Sequence, residues 1–204
     1  MENHLASQPT VEKQIPIRDF ISRLRQLPES EFDCVAEMLS FLQKTPVRPE
    51  TLTPYLTWNH QHYTRNLIDK THMYELIAIC WGIGHASSVH NHRDQNCWMT
   101  VPIGKLQVRN FRVVYENLNQ GTCQLEEAGT LEMDATHPGA VDSQHPVHSV
   151  FNPTEFNRRA VSLHVYSRPF DRCISYSPGL GTCREIDLRY DTDHSKPSEQ
   201  TRRC

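Results

Sequence analysis

The chain has 204 residues, 21 Lys and Arg against 24 Asp and Glu, a formal charge of −3, and a hydrophobic share of 37%. That length suits one domain with a sizeable core, and the nearly balanced charge excludes a polybasic nucleic-acid binder. No run of about 18 apolar residues is available to span a bilayer, and the opening MENHLASQPTVEK lacks the apolar stretch of a secretory signal. The expected setting is therefore cytoplasmic, with neither membrane nor nucleic acid as a partner.

Pro16 suits the first turn of a helix, and Ile17, Phe20, Ile21, Leu24 and Leu27 follow at helical spacing, which predicts an amphipathic helix over 16–27. A second helix is predicted from Ser30, where Ser30 and Asp33 resemble a capping box. Phe32, Val35, Leu39 and Leu42 make its apolar face, and Pro46 and Pro49 stop it. A short third helix is expected over 50–58. The pattern then turns to strands, at 65–68, 74–81, 97–103, 106–115, 129–133, 148–151, 159–166 and 185–190, separated by Gly, Pro, Asn or Asp turns. Eight or more short strands imply a sandwich or a small barrel. With no repeat and no clear linker, residues 1–190 read as one domain, helical at about 16–58 and a barrel at about 63–190. The polar residues 191–204 read as a disordered tail.

Seven cysteines, an odd number without a CxxC pair, fit reduced thiols better than a disulfide framework. The twelve histidines are the compositional oddity, because imidazole is the commonest metal ligand among side chains. His90 and His92 flank one residue, and on an extended strand they point to one face. Chance alone supplies about 0.7 such pairs at this histidine content, and His60 with His62 forms a second one, read as an exposed polar segment. What separates His90 and His92 from chance is a frame of Gly84, five residues, His90, one residue, His92, four residues, Cys97, six residues and Gly104. Gly84 can open the loop that turns the histidines inward, and Gly104 can take the turn to the next strand.

This frame resembles the first motif of the cupins, with cysteine in place of the usual glutamate. The second motif is kept in part, as His148 and Asn152, while Ser143 and His137 stand where it has Pro and Gly. The segment CWGIGHASSVHNHRDQNCW, with YTRNL before it and VSLHVYSRPFDRC after it, is similar to cysteine dioxygenase, a non-haem iron family that oxidises L-cysteine to cysteine sulfinate. The resemblance implies a mostly β fold, a cupin-type small β-barrel (jelly-roll) with an N-terminal helical segment. It implies Fe(2+) held by His90, His92 and His148, and a substrate carboxylate held by Arg65 with Tyr63 beside it. It also implies that Ile79 forms an apolar wall, that His164 and Tyr166 are catalytic, and that Cys97 is joined to Tyr166 by a thioether. The implied partners are a small thiol and O2, and the implied state is a monomer. Cys173 matches a family cysteine near the pocket mouth and is read as structural; Cys34, Cys80, Cys123, Cys183 and Cys204 have no functional case.

Three neutral imidazoles would leave iron(II) its full double charge, which suits an anionic thiolate, and the Arg65 fork suits a carboxylate. One departure stands out. The family often has Ser-Pro-Pro with a cis first bond after the catalytic tyrosine, where this chain has Ser167, Arg168 and Pro169. Two other functions remain in view. A dioxygenase for another small thiol, such as 3-mercaptopropionate, generally lacks the arginine at 65 and the cysteine at 97. A non-catalytic metal-binding cupin sensor would have no need of Arg65, His164 and Tyr166 together.

Overall fold

The computed structural model describes residues 14–141 and 146–196. Two helices lead, α1 (Ile17–Leu24) and α2 (Val35–Lys44), joined through a 3-10 turn at Glu29–Asp33 and followed by another at Pro49–Tyr55. Ser30 and Asp33 lie in the first of these turns instead of capping α2, whose N-terminus has no side-chain cap. The helix expected over 50–58 is the second turn, and Pro54 inside it removes a backbone donor that an α-helix would need.

Twelve strands follow: β1 (Thr64–Lys70), β2 (Glu75–Trp81), β3 (Val89–His90), β4 (Asn96–Ile103), β5 (Leu106–Asn117), β6 (Thr122–Met133), β7 (Gly139–Ala140), β8 (Val147–Phe151), β9 (Ala160–Ser167), β10 (Arg172–Ser177), β11 (Thr182–Asp187) and β12 (Thr192–Asp193). One sheet has the order β12-β1-β2-β9-β4-β7, and the other six strands close on themselves as β10-β11-β6-β5-β8-β3. The fold is mostly β with an N-terminal helical segment, as expected. Alternation along the strands sets its layers. On β9, Val161, Leu163 and Val165 face outward, into a core with Phe20, Leu24, Met38 and Leu42 of the helices, while Tyr166 faces inward with Ile77, Ile79, Cys97 and Met99. Because β2 is covered on both faces, it reads ELIAICW, nearly continuous in apolar residues.

Asp191–Lys196, grouped by composition with a disordered tail, is placed. Thr192 and Asp193 pair in parallel with Asn66 and Leu67, and Asp191 Oδ2 accepts the Arg65 backbone N–H at 2.8 Å. The open edge of β1 supplies backbone partners that composition does not reveal. Residues 197–204 and Ser143 lie outside the described residues.

An ion pair to a buried carboxylate helps pin the helical layer to the sheet. Arg25, just past α1, donates to both oxygens of the buried Asp69, at 2.5 and 2.9 Å, and the Tyr74 hydroxyl donates to Asp69 Oδ2 at 2.5 Å. Burial pushes the Asp69 carboxyl upward, but these donors outweigh it and hold the group below its ordinary 3.8. The stability they add is present above that ordinary value and is lost as pH falls through the lower native one. Asp69→Asn should therefore lose on the order of 2 kcal/mol at pH 7. Urea melts at pH 7 and in acid should show the wild type losing more stability than the variant between the two; equal slopes would remove Asp69 from this role.

Candidate active site

His90 on β3 sits directly opposite His148 on β8 in the strand register. His92 arrives from the turn after β3, where Arg93 and Asp94 both adopt left-handed backbone at φ 52° and 61° and fold the chain back toward β4. Gly84 takes φ +80° in the loop before β3. Gly104 takes φ +79°, where a Cβ would stand 2.7 Å from the Arg159 carbonyl, so the turn between β4 and β5 requires glycine. Asn152 acts as a clasp: its amide nitrogen donates to the carbonyls of Trp81, Gly82 and Arg158.

The result is a cluster in which the ligand atoms of His90, His92 and His148 lie within 4.8 Å of one another. His90 Nδ1 contacts the Ser88 carbonyl at 2.8 Å, which makes it the donor and frees Nε2. Both ring nitrogens of the buried His92 are unpartnered. Burial, and then the charges of neighbouring groups, lowers all three titrations, so the rings stay neutral. Three neutral imidazoles brought together, with both nitrogens of His92 buried and unpaired, fit a transition-metal ion, since leaving such nitrogens without a partner is costly.

The cluster faces a pocket of about 50 Å³ that also includes Tyr63, Arg65, Ile79, His164 and Tyr166 among its walls. Arg65 and Ile79 are opposite each other on β1 and β2. The Arg65 guanidinium lies 5.7 Å over the Tyr190 ring and, among the described residues, has no carboxylate partner. Tyr190 is itself held, donating to the buried Glu75 and accepting from Lys70. The pocket thus presents an unneutralised cation facing three neutral metal donors. Tyr63 stacks on Trp81 at 4.8 Å, and Phe170 packs edge-on against Tyr166.

A polar chain runs along the inward face of β9. Trp81 Nε1–H donates to Ser162 Oγ at 2.9 Å, Ser162 Oγ meets His164 Nε2 at 2.8 Å, and His164 Nδ1 meets the Tyr166 hydroxyl oxygen at 3.2 Å. Burial holds His164 neutral, its titration pushed down to about 3, so one ring nitrogen donates along this chain and the other accepts. Burial keeps the hydroxyl of Tyr166, itself a wall of the pocket, protonated. Ser162 and Trp81 are the members of this chain that the sequence reading lacks, although Ser162, His164 and Tyr166 at alternate positions are a visible signal for a shared strand face.

Cys97 is directly opposite Tyr166 in the β4–β9 register, buried, with its thiol pushed well up by burial and its sulfur 4.0 Å from His164 Nδ1. It lies outside the walls of the substrate pocket. Cys173, read from the sequence as structural, does line that pocket. The Ser167–Arg168 peptide bond is cis, and the Arg168 N–H donates to Gln95 Oε1 at 2.6 Å.

A family model described as Cysteine dioxygenase type I matches residues 2–179. Cysteine dioxygenase type 1 of Danio rerio is 27% identical over 195 residues, covering 95% of this chain and 94% of its own. The protein of that name in Bos taurus is 28% identical over 181 residues, 88% and 86% of the two chains. Among solved structures, a Klebsiella pneumoniae protein with a double-stranded beta-helix domain overlaps 57% of this chain and 81% of its own at 13% identity and a TM-score of 0.44.

Proposed function

The chain belongs to the cysteine dioxygenase type I family, and we propose that it oxidises L-cysteine with dioxygen to cysteine sulfinate at a ferrous ion held by His90, His92 and His148. The observation that carries this reading is the Arg65 guanidinium, free of any carboxylate among the described residues, in the same small pocket as three neutral imidazoles. Bound there, iron(II) supplies affinity for a thiolate and the electrons that activate dioxygen. The remaining work falls to the chain itself. Arg65 grips the carboxylate of the amino acid and so fixes its other groups toward the imidazoles. Ile79 and Phe170 keep that end of the pocket dry. The Tyr166 hydroxyl, oriented by His164 and Ser162, offers one proton donor to the reacting groups.

The register that sets Cys97 opposite Tyr166 supports a thioether between Cys97 Sγ and the ring carbon beside the Tyr166 hydroxyl. A C–S bond forms, an S–H and a C–H bond break, and dioxygen takes up the two hydrogens. Protein aged with iron, cysteine and air should show an intact mass lower by two hydrogens, and Cys97→Ser should not; an unchanged wild-type mass would refute the link. We place the enzyme in the cytoplasm as a monomer. Its described cysteines are all free thiols, which suits a reducing compartment, and none of its described helices is long and apolar enough to cross a membrane.

Oxygen uptake with a panel of thiols tests the substrate. L-Cysteine should exceed cysteamine and 3-mercaptopropionate in kcat/KM by at least about tenfold, because only it offers thiol, amine and carboxylate together. Preference for either of the others would overturn the assignment.

A further inference from the structure

A second cavity, of about 160 Å³, adjoins the imidazole cluster and shares His148 and His164 with the substrate pocket. Met99 of β4, Val108 of β5, Leu131 and Met133 of β6, and Val141 just after β7 make it largely apolar. Its polar side chains are Cys97, Asn110, His148 and His164, and no Asp, Glu, Lys or Arg lines it. β7 is the two-residue edge strand of the open sheet, and among the described residues no pairing joins it to β6. The space between the sheets therefore opens at that edge, where Leu131 is 44% exposed.

We propose that this cavity is the route by which dioxygen reaches the imidazole cluster, separate from the thiol's approach past Tyr63 and Arg65; the proposal rests on the dioxygenase reading above. Charge decides which reactant each space admits. Cysteine is charged at both ends and would lose its hydration among Met99, Val108 and Met133 with no ion to replace it. Dioxygen is small, uncharged and apolar, and apolar cavities of about 150 Å³ stay dry and accept such guests, xenon included. Size points the same way. The substrate pocket, at about 50 Å³, is the smaller of the two spaces, and the amino acid would occupy it. His148 and His164 form the wall where the two spaces meet.

Crystals of the holoenzyme pressurised with xenon should show a bound atom between Val108, Met133 and Val141. Val141→Phe should displace it and raise the KM for dioxygen by about tenfold, while the KM for cysteine and the iron content change by less than about twofold. Leu131→Trp, at the exposed rim, gives the same test if Val141→Phe fails to fold. Ordered water in place of xenon would overturn the proposal. So would an unchanged KM for dioxygen in a variant whose crystal structure shows the cavity filled. Xenon bound in a protein that oxidises no thiol would instead overturn the dioxygenase reading, and dioxygen as the occupant with it.

Discussion

His148→Ala is expected to fold, to lose its iron and to turn over no thiol. The strand that carries His148 is held by backbone pairing to β3 and β5, which the substitution leaves in place. Two imidazoles remain, and among the described residues no carboxylate joins the cluster to replace the third donor. Loss of a group that merely supports a ligand costs about 10–100-fold in metal affinity, so loss of the ligand itself should cost at least about a hundredfold. Metal analysis after gel filtration, beside a thermal melt, measures both parts. Iron retained near one per chain with activity intact would show that the third ligand is elsewhere.

Arg65→Ala is expected to separate two thiols that differ in one group. L-Cysteine should lose at least about tenfold in kcat/KM, and up to about a thousandfold, because removing one partner of a buried charge-assisted pair costs about 2–5 kcal/mol. Cysteamine has no carboxylate and should change by less than about twofold. The fold should survive, since Arg65 is held in β1 by its backbone, with its N–H on Asp191 and its carbonyl accepting from Asp191 N. Equal losses for both thiols would refute a carboxylate site.

Much of this site is legible in the chain because each part has a local signature. His90 and His92 stand in a frame closed by Gly84 and Gly104, and both glycines take the left-handed backbone their places require. His164 and Tyr166 share a face because a strand alternates. Ser162 does not announce itself, since a serine on a strand becomes part of the chain only when Trp81, far away in sequence, reaches it. Tyr190 is hidden for the same reason, its place over Arg65 set by Glu75 and Lys70.

The fold shows the same division. Buried strands such as β2 and β9 are apolar enough to read directly. β10, with Arg172, Ser175 and Ser177 among its six residues, and the first half of β6, where Gln124, Glu126 and Glu127 are exposed, carry little apolar pattern; their pairing with neighbours makes them strands. The short β3, β7 and β12 are defined wholly by the edges they meet.

Product analysis under isotopically labelled dioxygen tests the central claim most directly. Iron(II)-loaded protein given L-cysteine should yield cysteine sulfinate that carries two labelled oxygen atoms, with one dioxygen consumed per cysteine. Cystine formed with hydrogen peroxide, sulfinate with one labelled atom, or no thiol-dependent oxygen uptake at all would contradict it.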